Sequence, residues 1–411
     1  MADSGEGTGH WFDRSMGAAG RPQRRIHSSY LRFHHGQSGT DATGASGPEL
    51  DRRPPPSSVN RSFRPSTQAP RDTRPLHCRM HAAGAASVAV IIVNHDGGRH
   101  LPRCLGCLAE QSLLPDRIVV VDNASRDGSF GAARRAAAAD GRLADRVLFH
   151  EVGRNIGFAA ANNLAVGMCD EEFVALVNPD AFPAPGWLAA LVAAARRHPE
   201  AASFGSRQWL DGRPGVLDGV GDVYHVSGLS WRDGHGCPPT ADDAEDREIF
   251  SACAAAALYR RAAFLEAGGF DEDFFCYFED VDLGFRLRLA GHAARYVADA
   301  AVFHAGGTAS AGKSADFAVY HGHRNLVWCF VKNTPSPLLP ILLIPHLSQT
   351  IIVGGFFLAR RQFCSIVKAK WDALLGLRQC WLKRRSIQSN RKASTTAIWR
   401  SLDKSLRRRR S

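Results

Sequence analysis

Four short strand-like runs, the first of them continuously apolar and β-branched, each followed by a helix-like stretch, set the tightest limit on what this chain can become. They are VAVIIV (88–93), RIVVVD (117–122), RVLFHE (146–151) and FVALV (173–177). A strand wetted on one face alternates apolar and polar residues, whereas one buried on both faces reads as a continuous apolar run. Between and after them stand RHLPRCLGCLAEQ, GSFGAARRAAAAD, FAAANNLAVGM and PGWLAALVAAARRH, which read as helices, the last opened by Pro185. Strands alternating with helices of roughly 10–15 residues predict an α/β fold: a mostly parallel, Rossmann-like sheet flanked by helices. In such sheets ligands gather beyond the carboxyl ends of the strands.

Past this pattern, residues 208–247 read as loop, rich in Gly and Asp. A short strand is expected around 250–255, a helix near 262–267, an acidic helix from Glu279, and strands near 294–297 and 301–304. Residues 1–86 hold no period and are rich in Gly, Ser, Pro, Arg and His, which predicts a disordered extension. No apolar segment follows the start, so a secretory signal is not expected, and Met80 is an alternative start. Residues 335–361 are long enough to cross a bilayer, but Pro340, Pro345, His346, Ser348 and Gln349 interrupt them; an interfacial amphipathic segment fits better.

Charge is uneven. Residues 360–411 hold 16 Lys+Arg against 2 Asp+Glu, while the rest of the chain holds 35 against 38. A near-neutral body argues against nucleic-acid binding, and the basic tail suits an anionic membrane surface. Cys104 and Cys107 form a CxxC inside an apolar helical stripe with no second pair at zinc spacing, so they are expected in the core. The scattered cysteines suit a reducing compartment.

The turns after the strands carry oxygen-bearing side chains. Asp122 ends the second strand, where a carboxylate can accept from a ligand N–H; Asn123, Ser125 and Asp127 beside it serve turn geometry equally well. The first turn, NHDGGRH, lacks the G-x-G-x-x-G of a nicotinamide site. Asp180 ends the fourth strand within NPDA, with Asn178 two residues before it. Hard divalent cations take such oxygens, though one carboxylate needs help, for instance from a diphosphate; Asn-Pro-Asp is equally a common turn. Glu279, Asp280 and Asp282 open a helix. Acids are favoured there by the dipole, but three exceed what a cap uses, so one is a candidate general base. Arg286 is placed to hold Asp282 at i,i+4. His304 ends a late strand and is a candidate metal or phosphate ligand.

Taken together, IIVNHDGG, VVVDNASRDGS, NIGFAAANN, LVNPDA, FSACAAAALYRRAAFLEAGGFDEDFF, EDVDLGFRLRLAG and HAGGTAS, in this order, resemble the family 2 glycosyltransferases of GT-A fold, most of all their bacterial rhamnosyltransferase-type branch. The resemblance covers about residues 87–335, the expected catalytic domain; 1–86 would be an extension and 336–411 a hydrophobic, then basic, membrane-associating region. It implies an inverting sugar transfer from a nucleoside-diphosphate donor with a divalent metal, Mg or Mn. By position, Asp122 would bind the base. Asn155, Gly157 and Asn163 would line the nucleotide–sugar site, with Asn94, Asn123 and Asn178 also donor-binding. Asp180 would bind the metal with His304 near it, and Asp280, beside Glu279, would activate the acceptor hydroxyl. The pattern departs at Asn178, where many members carry an acid, at Asp96 in place of Asn and at Ala252 in place of Gly. The expected reaction moves L-rhamnose from dTDP-rhamnose to a hydroxyl of a cell-envelope glycan or glycolipid, at the cytoplasmic face of the membrane. The alternatives are a UDP-hexose donor on the same fold, or a non-catalytic protein binding a membrane surface.

Overall fold

The computed structural model describes residues 86–306, 315–359 and 363–405. The expectations for the N-terminal extension, for the segment after Gly306 and for the last arginines lie outside those residues.

The four runs form β1 (Val88–Asn94), β2 (Arg117–Asp122), β3 (Val147–Glu151) and β4 (Phe173–Val177), separated by α1 (His100–Ala109), α2 (Ser129–Ala139) and α3 (Phe158–Val166). They pair in parallel in the order β3-β2-β1-β4. Consecutive residues feed opposite cores, which is why the runs are unbroken: Val88, Val90 and Ile92 pack towards α1 and α2, while Ala89, Ile91 and Val93 pack towards α3. Cys104 lies in the first of these cores, as the helical stripe predicts, and the nine cysteines among the described residues are free thiols.

After β5 (Ala181–Pro183), α4 (Trp187–Arg197) starts two residues beyond Pro185, with Gly186 at its cap. β6 (Ala201–Leu210) follows, a strand the sequence did not announce. The stretch expected to be loop holds three short strands, β7 (Leu217–Gly219), β8 (Asp222–Tyr224) and β9 (Ser230–Arg232). The strand expected at 250–255 is instead the turn between β10 (Arg247–Ile249) and β11 (Ala256–Arg260). Then come α5 (Arg261–Glu266), α6 (Glu279–Leu289) and one long strand, β12 (Ala293–His304), bulged between Val297 and Ala301 where two strands were expected. The sheet continues β4-β11-β6-β12-β10, with β11 antiparallel to both neighbours and β12 parallel to β6. The α/β expectation holds, with the second half of the sheet mixed.

A helical extension completes the fold: α7 (Ala315–Asn333), α8 (Leu339–Ala359), α9 (Phe363–Leu375), α10 (Leu377–Ser389) and α11 (Thr395–Ser401). Helix α8 runs through Pro345, although proline forfeits a backbone hydrogen bond there. The extension is joined to the α/β body by a third core, in which Phe285 and Leu289 of α6 meet Cys329 and Phe330 of α7, Leu342 of α8 and Ile398 of α11. A buried charge network reinforces it. Lys332 lies between Asp271 and Asp282, and Lys383 of α10 bridges Asp271 and Asp273. Part of the basic tail is thus internal: Arg384 is buried, donating to the carbonyls of Val331 and Thr334. The opposite faces of α8 and α9 are bare and apolar, with Ile344, Ile351, Ile352 and Trp371 each more than 60% exposed.

Candidate active site

The carboxyl ends of β1, β2 and β3 lie side by side, with Asn94 in register with Asp122 and Asp122 with Glu151. Asn94 is fully buried and donates to Asp122 Oδ1 at 3.0 Å and to the hydroxyls of Ser125 and Ser129 at 2.9 Å each. Asp122 Oδ2 accepts from the Ser125 N–H at 3.0 Å. The carboxylate is thus fixed in place, and each oxygen keeps a lone pair for a ligand donor. Asp127 is a turn residue: it accepts from the backbone N–H groups of Gly98 and Ser129.

Asn123 ties this rim to the next loop. Its amide donates to Asn155 Oδ1 at 2.9 Å and accepts from the Ile156 N–H at 2.8 Å. His95 stands between them, with Nδ1 on the Asn123 carbonyl at 2.9 Å and Nε2 3.2 Å from the Asn155 amide. Since a carbonyl only accepts, Nδ1 carries the proton. Gly157 has φ +87°, and a Cβ there would lie 2.6 Å from the Phe275 ring and 2.7 Å from its carbonyl oxygen. Only glycine allows this approach. It packs closely against the segment that leads into α6. Asn163 is likewise turned to support: its amide donates to the Phe270 carbonyl and Glu272 and accepts from the Phe270 N–H.

The segment before α6 is strained. Phe275, Tyr277 and Phe278 all have positive φ, 65°, 66° and 72°, at roughly 1–3 kcal/mol each. Helix α7 clamps it, with the buried Asn325 amide donating to the carbonyls of Phe274, Cys276 and Tyr277 and Arg324 reaching those of Asp273 and Phe274. Strain held this way sets where the acids of α6 point. The three acids part company there. Asp282 is fully buried, bound to Arg286 at 2.8 Å and to Lys332 at 2.9 Å, so it is structural. Glu279 is buried in the first turn. Asp280 is half-buried, accepting from the Ala254 N–H at 3.0 Å. Ala255 in turn holds the Asn178 N–H at 2.9 Å, so Asp280 and the end of β4 share one short backbone link. Close to Asp280 lies Asp222, whose hydrogen bond comes from Ser251; burial, then the Asp280 charge, push its carboxyl well above the usual range.

The Asn178 side chain has no hydrogen-bond partner among the described residues and is free to meet a ligand. Next to it, β5 pairs with the end of β12 and brings Asp180 to His304. Asp180 Oδ1 and His304 Nε2 lie 3.4 Å apart, both buried and neither in an aligned hydrogen bond. His304 Nδ1 is 2.8 Å from Asp218 Oδ2. Asp218, on β7, also binds Arg232 of β9 and lies 3.2 Å from His235. Burial alone would lower the His304 pKa, but the Asp218 and Asp180 carboxylates outweigh it and push it up to about 9. Burial also works to raise Asp180, yet His304 holds it below the ordinary value.

This pair fits a divalent cation. A carboxylate accepts only, so a neutral His304 carries its proton on Nδ1 and turns its Nε2 lone pair towards Asp180 Oδ1. Two such acceptors face to face need a proton between them, which the raised His304 pKa reflects, or a cation in its place. Oxygen and imidazole donors suit Mn2+, and oxygen suits Mg2+. No group of three or more His, Cys, Asp or Glu among the described residues forms a complete cage, so the remaining positions would fall to phosphate oxygens. Sequence reasoning had missed Asp218, Asp222, Arg232 and Asn325; the first three sit in the stretch read as loop, and Asn325 lies in α7, a segment to which the sequence had assigned no element.

Residues 87–268 match the model for Glycosyl transferase family 2. The chain is 30% identical over 244 residues to N-acetylglucosaminyl-diphospho-decaprenol L-rhamnosyltransferase of Mycobacterium tuberculosis (strain CDC 1551 / Oshkosh), covering 52% of this chain and 75% of that one. It is 28% identical over 222 residues to the O-antigen biosynthesis protein RfbC of Myxococcus xanthus, covering 52% of this chain and 17% of that protein. Among solved structures, mannosyltransferase PcManGT from Pyrobaculum calidifontis, in complex with GDP-Man and Mn2+, aligns with a TM-score of 0.46 at 19% identity over 76% of this chain and 87% of that one. So loose a likeness carries no argument.

Proposed function

The chain belongs to glycosyltransferase family 2, and on that premise we propose that it transfers L-rhamnose from dTDP-rhamnose, with inversion, to a hydroxyl of a lipid-linked envelope-glycan acceptor. The observation that carries the reading is the buried, mutually facing pair Asp180 Oδ1 and His304 Nε2, on the rim that also bears Asp122 and Asp280. The choice of rhamnose and of a lipid-linked acceptor rests on the 30% identity to the mycobacterial enzyme.

Asp122 accepts from an N–H of the donor base, held by Asn94 and the Ser125 N–H. Asn178 meets a sugar hydroxyl. Asp180 and His304 would hold Mg2+ or Mn2+, which when bound neutralises charge growing on the leaving diphosphate. The acceptor oxygen bonds to the anomeric carbon on one face as the carbon–diphosphate bond breaks on the other, and Asp280 takes the acceptor proton. Asn123, Asn155, Gly157 and Asn163 shape this site by holding its loops. The catalytic body spans 87–335, and the bare apolar faces of α8 and α9 rest on the cytoplasmic leaflet; the exposed Arg378 and Arg385 of α10 are available to its anionic headgroups.

A donor screen tests the reading. dTDP-rhamnose, UDP-glucose, UDP-galactose and GDP-mannose are offered to the full chain with Mn2+ and a membrane extract as acceptor. Turnover of dTDP-rhamnose above the others supports it; preference for a UDP-hexose removes rhamnose, and no turnover of any removes the transferase activity assigned here.

A further inference from the structure

We propose that Asp218 is the positioning residue of the metal side of this site, fixing the His304 ring so that Nε2 presents its lone pair beside Asp180 Oδ1. This role rests on the reading of Asp180 and His304 as the cation-binding pair. Asp218 is 86 residues from His304 in sequence, on the short strand β7, and reaches His304 Nδ1 at 2.8 Å. Both side chains are at least 94% buried, so no water competes for the contact.

The bland alternative is that Asp218 merely neutralises Arg232. The geometry points further. Oδ2, the oxygen that meets Arg232, is also the one that meets His304, and Oδ1 faces His235 at 3.2 Å. Arg232 therefore pins the carboxylate while the carboxylate pins the imidazole. A ring left to itself could turn over about its Cβ–Cγ bond, putting carbon where the nitrogens stand, or shift its proton to Nε2; with an obligate acceptor on Nδ1 either change leaves a buried carboxylate without its donor. A carboxylate behind an imidazole also raises its strength as a ligand, and loss of such support elsewhere costs 10–100-fold in metal affinity. β7 pairs with β6, which pairs with β12, so the distance between the two residues is set by the sheet.

The test is Mn2+ binding to the full chain saturated with dTDP, read by electron paramagnetic resonance of free Mn2+, with dTDP affinity in the absence of metal measured in parallel. Asp218→Asn keeps the shape and one acceptor oxygen but removes the charge, and is expected to weaken Mn2+ about 10-fold; Asp218→Ala removes the acceptor too and is expected to approach about 100-fold. Metal-free dTDP affinity should stay within about twofold in both. If the alanine variant does not fold, the asparagine variant decides alone. Unchanged Mn2+ affinity in folded Asp218→Asn, or an equal loss of metal-free dTDP binding, overturns the role of Asp218. A wild-type protein that binds no Mn2+ overturns the cation site itself, and with it this proposal.

Discussion

Exchanging the two aspartates of the α6 entrance for asparagine, one at a time, separates chemistry from structure. Asp282→Asn removes a charge at 0% exposure that Arg286 and Lys332 both contact at 2.8–2.9 Å. Breaking a buried ion pair costs about 3–5 kcal/mol, and the amide keeps part of the hydrogen bonding, so about 3 kcal/mol is expected. At about 2–4 °C per kcal/mol for a domain of this general size, the melting temperature falls by about 6–12 °C. Asp280→Asn differs in kind. The residue is half-buried and, among the described residues, accepts backbone N–H bonds from Ala254 and Val281. One acceptor oxygen survives, so the stability loss is about 1 kcal/mol, while transfer falls about 100-fold or more without the base. Scanning fluorimetry and transfer of labelled sugar well below the melting temperature read both. Near wild-type turnover in Asp280→Asn, or an unshifted melting temperature in Asp282→Asn, refutes the division.

Three more outcomes follow from the same structure. Gly157→Ala forces a Cβ within 2.6 Å of the Phe275 ring at φ +87°, so it should cost at least about 1–2 kcal/mol and displace the strained loop, lowering both melting temperature and kcat. The Asp271 carboxyl, which burial alone would raise, is held far below its usual range by Lys332 and Lys383; its folded pKa lies below the unfolded one, so its stabilisation is full above about pH 4 and lost as pH falls further. Melting temperature should drop steeply on that limb and less so in Asp271→Asn. Replacing Ile344 and Ile351, 72% and 74% exposed, with Glu should leave the melting temperature unmoved but abolish flotation with phosphatidylglycerol vesicles, since each loses about 1.5–3 kcal/mol of apolar transfer; flotation that persists counts against the membrane face.

How much was legible in the sequence follows the physics of each segment. β3, a part-buried strand at the end of the sheet, was read from its place in the alternation of strands and helices, whereas β1, β2 and β4 showed themselves because strands buried on both faces read as continuous apolar runs. β6 did not, because Ser203, Gly205, Ser206 and Gln208 dilute it. Ser206 is satisfied internally by Trp187 Nε1 and the Ala256 carbonyl, and Gly205 is small because a Cβ would meet Ile249 at 3.1 Å. Asp122 and Asp180 stood out by position at strand ends. Asp218 stood among glycines in a stretch indistinguishable from turns, and its meaning depends on a histidine 86 residues later. By residue type Glu279, Asp280 and Asp282 were alike as helix-opening acids, told apart only by the i,i+4 spacing of Asp282 to Arg286 and by the resemblance; α7 adds Lys332 against Asp282, which no local pattern announces. The basic tail read as a single membrane patch, yet Lys383 and Arg384 face inward because α10 packs on α7.

A crystal structure of the full chain with dTDP and Mn2+, with anomalous data at the manganese edge, asks the central question outright. A peak coordinated by Asp180 and His304, with the diphosphate beside it and the thymine against Asp122, is the predicted result. Manganese or nucleotide bound away from that rim contradicts it.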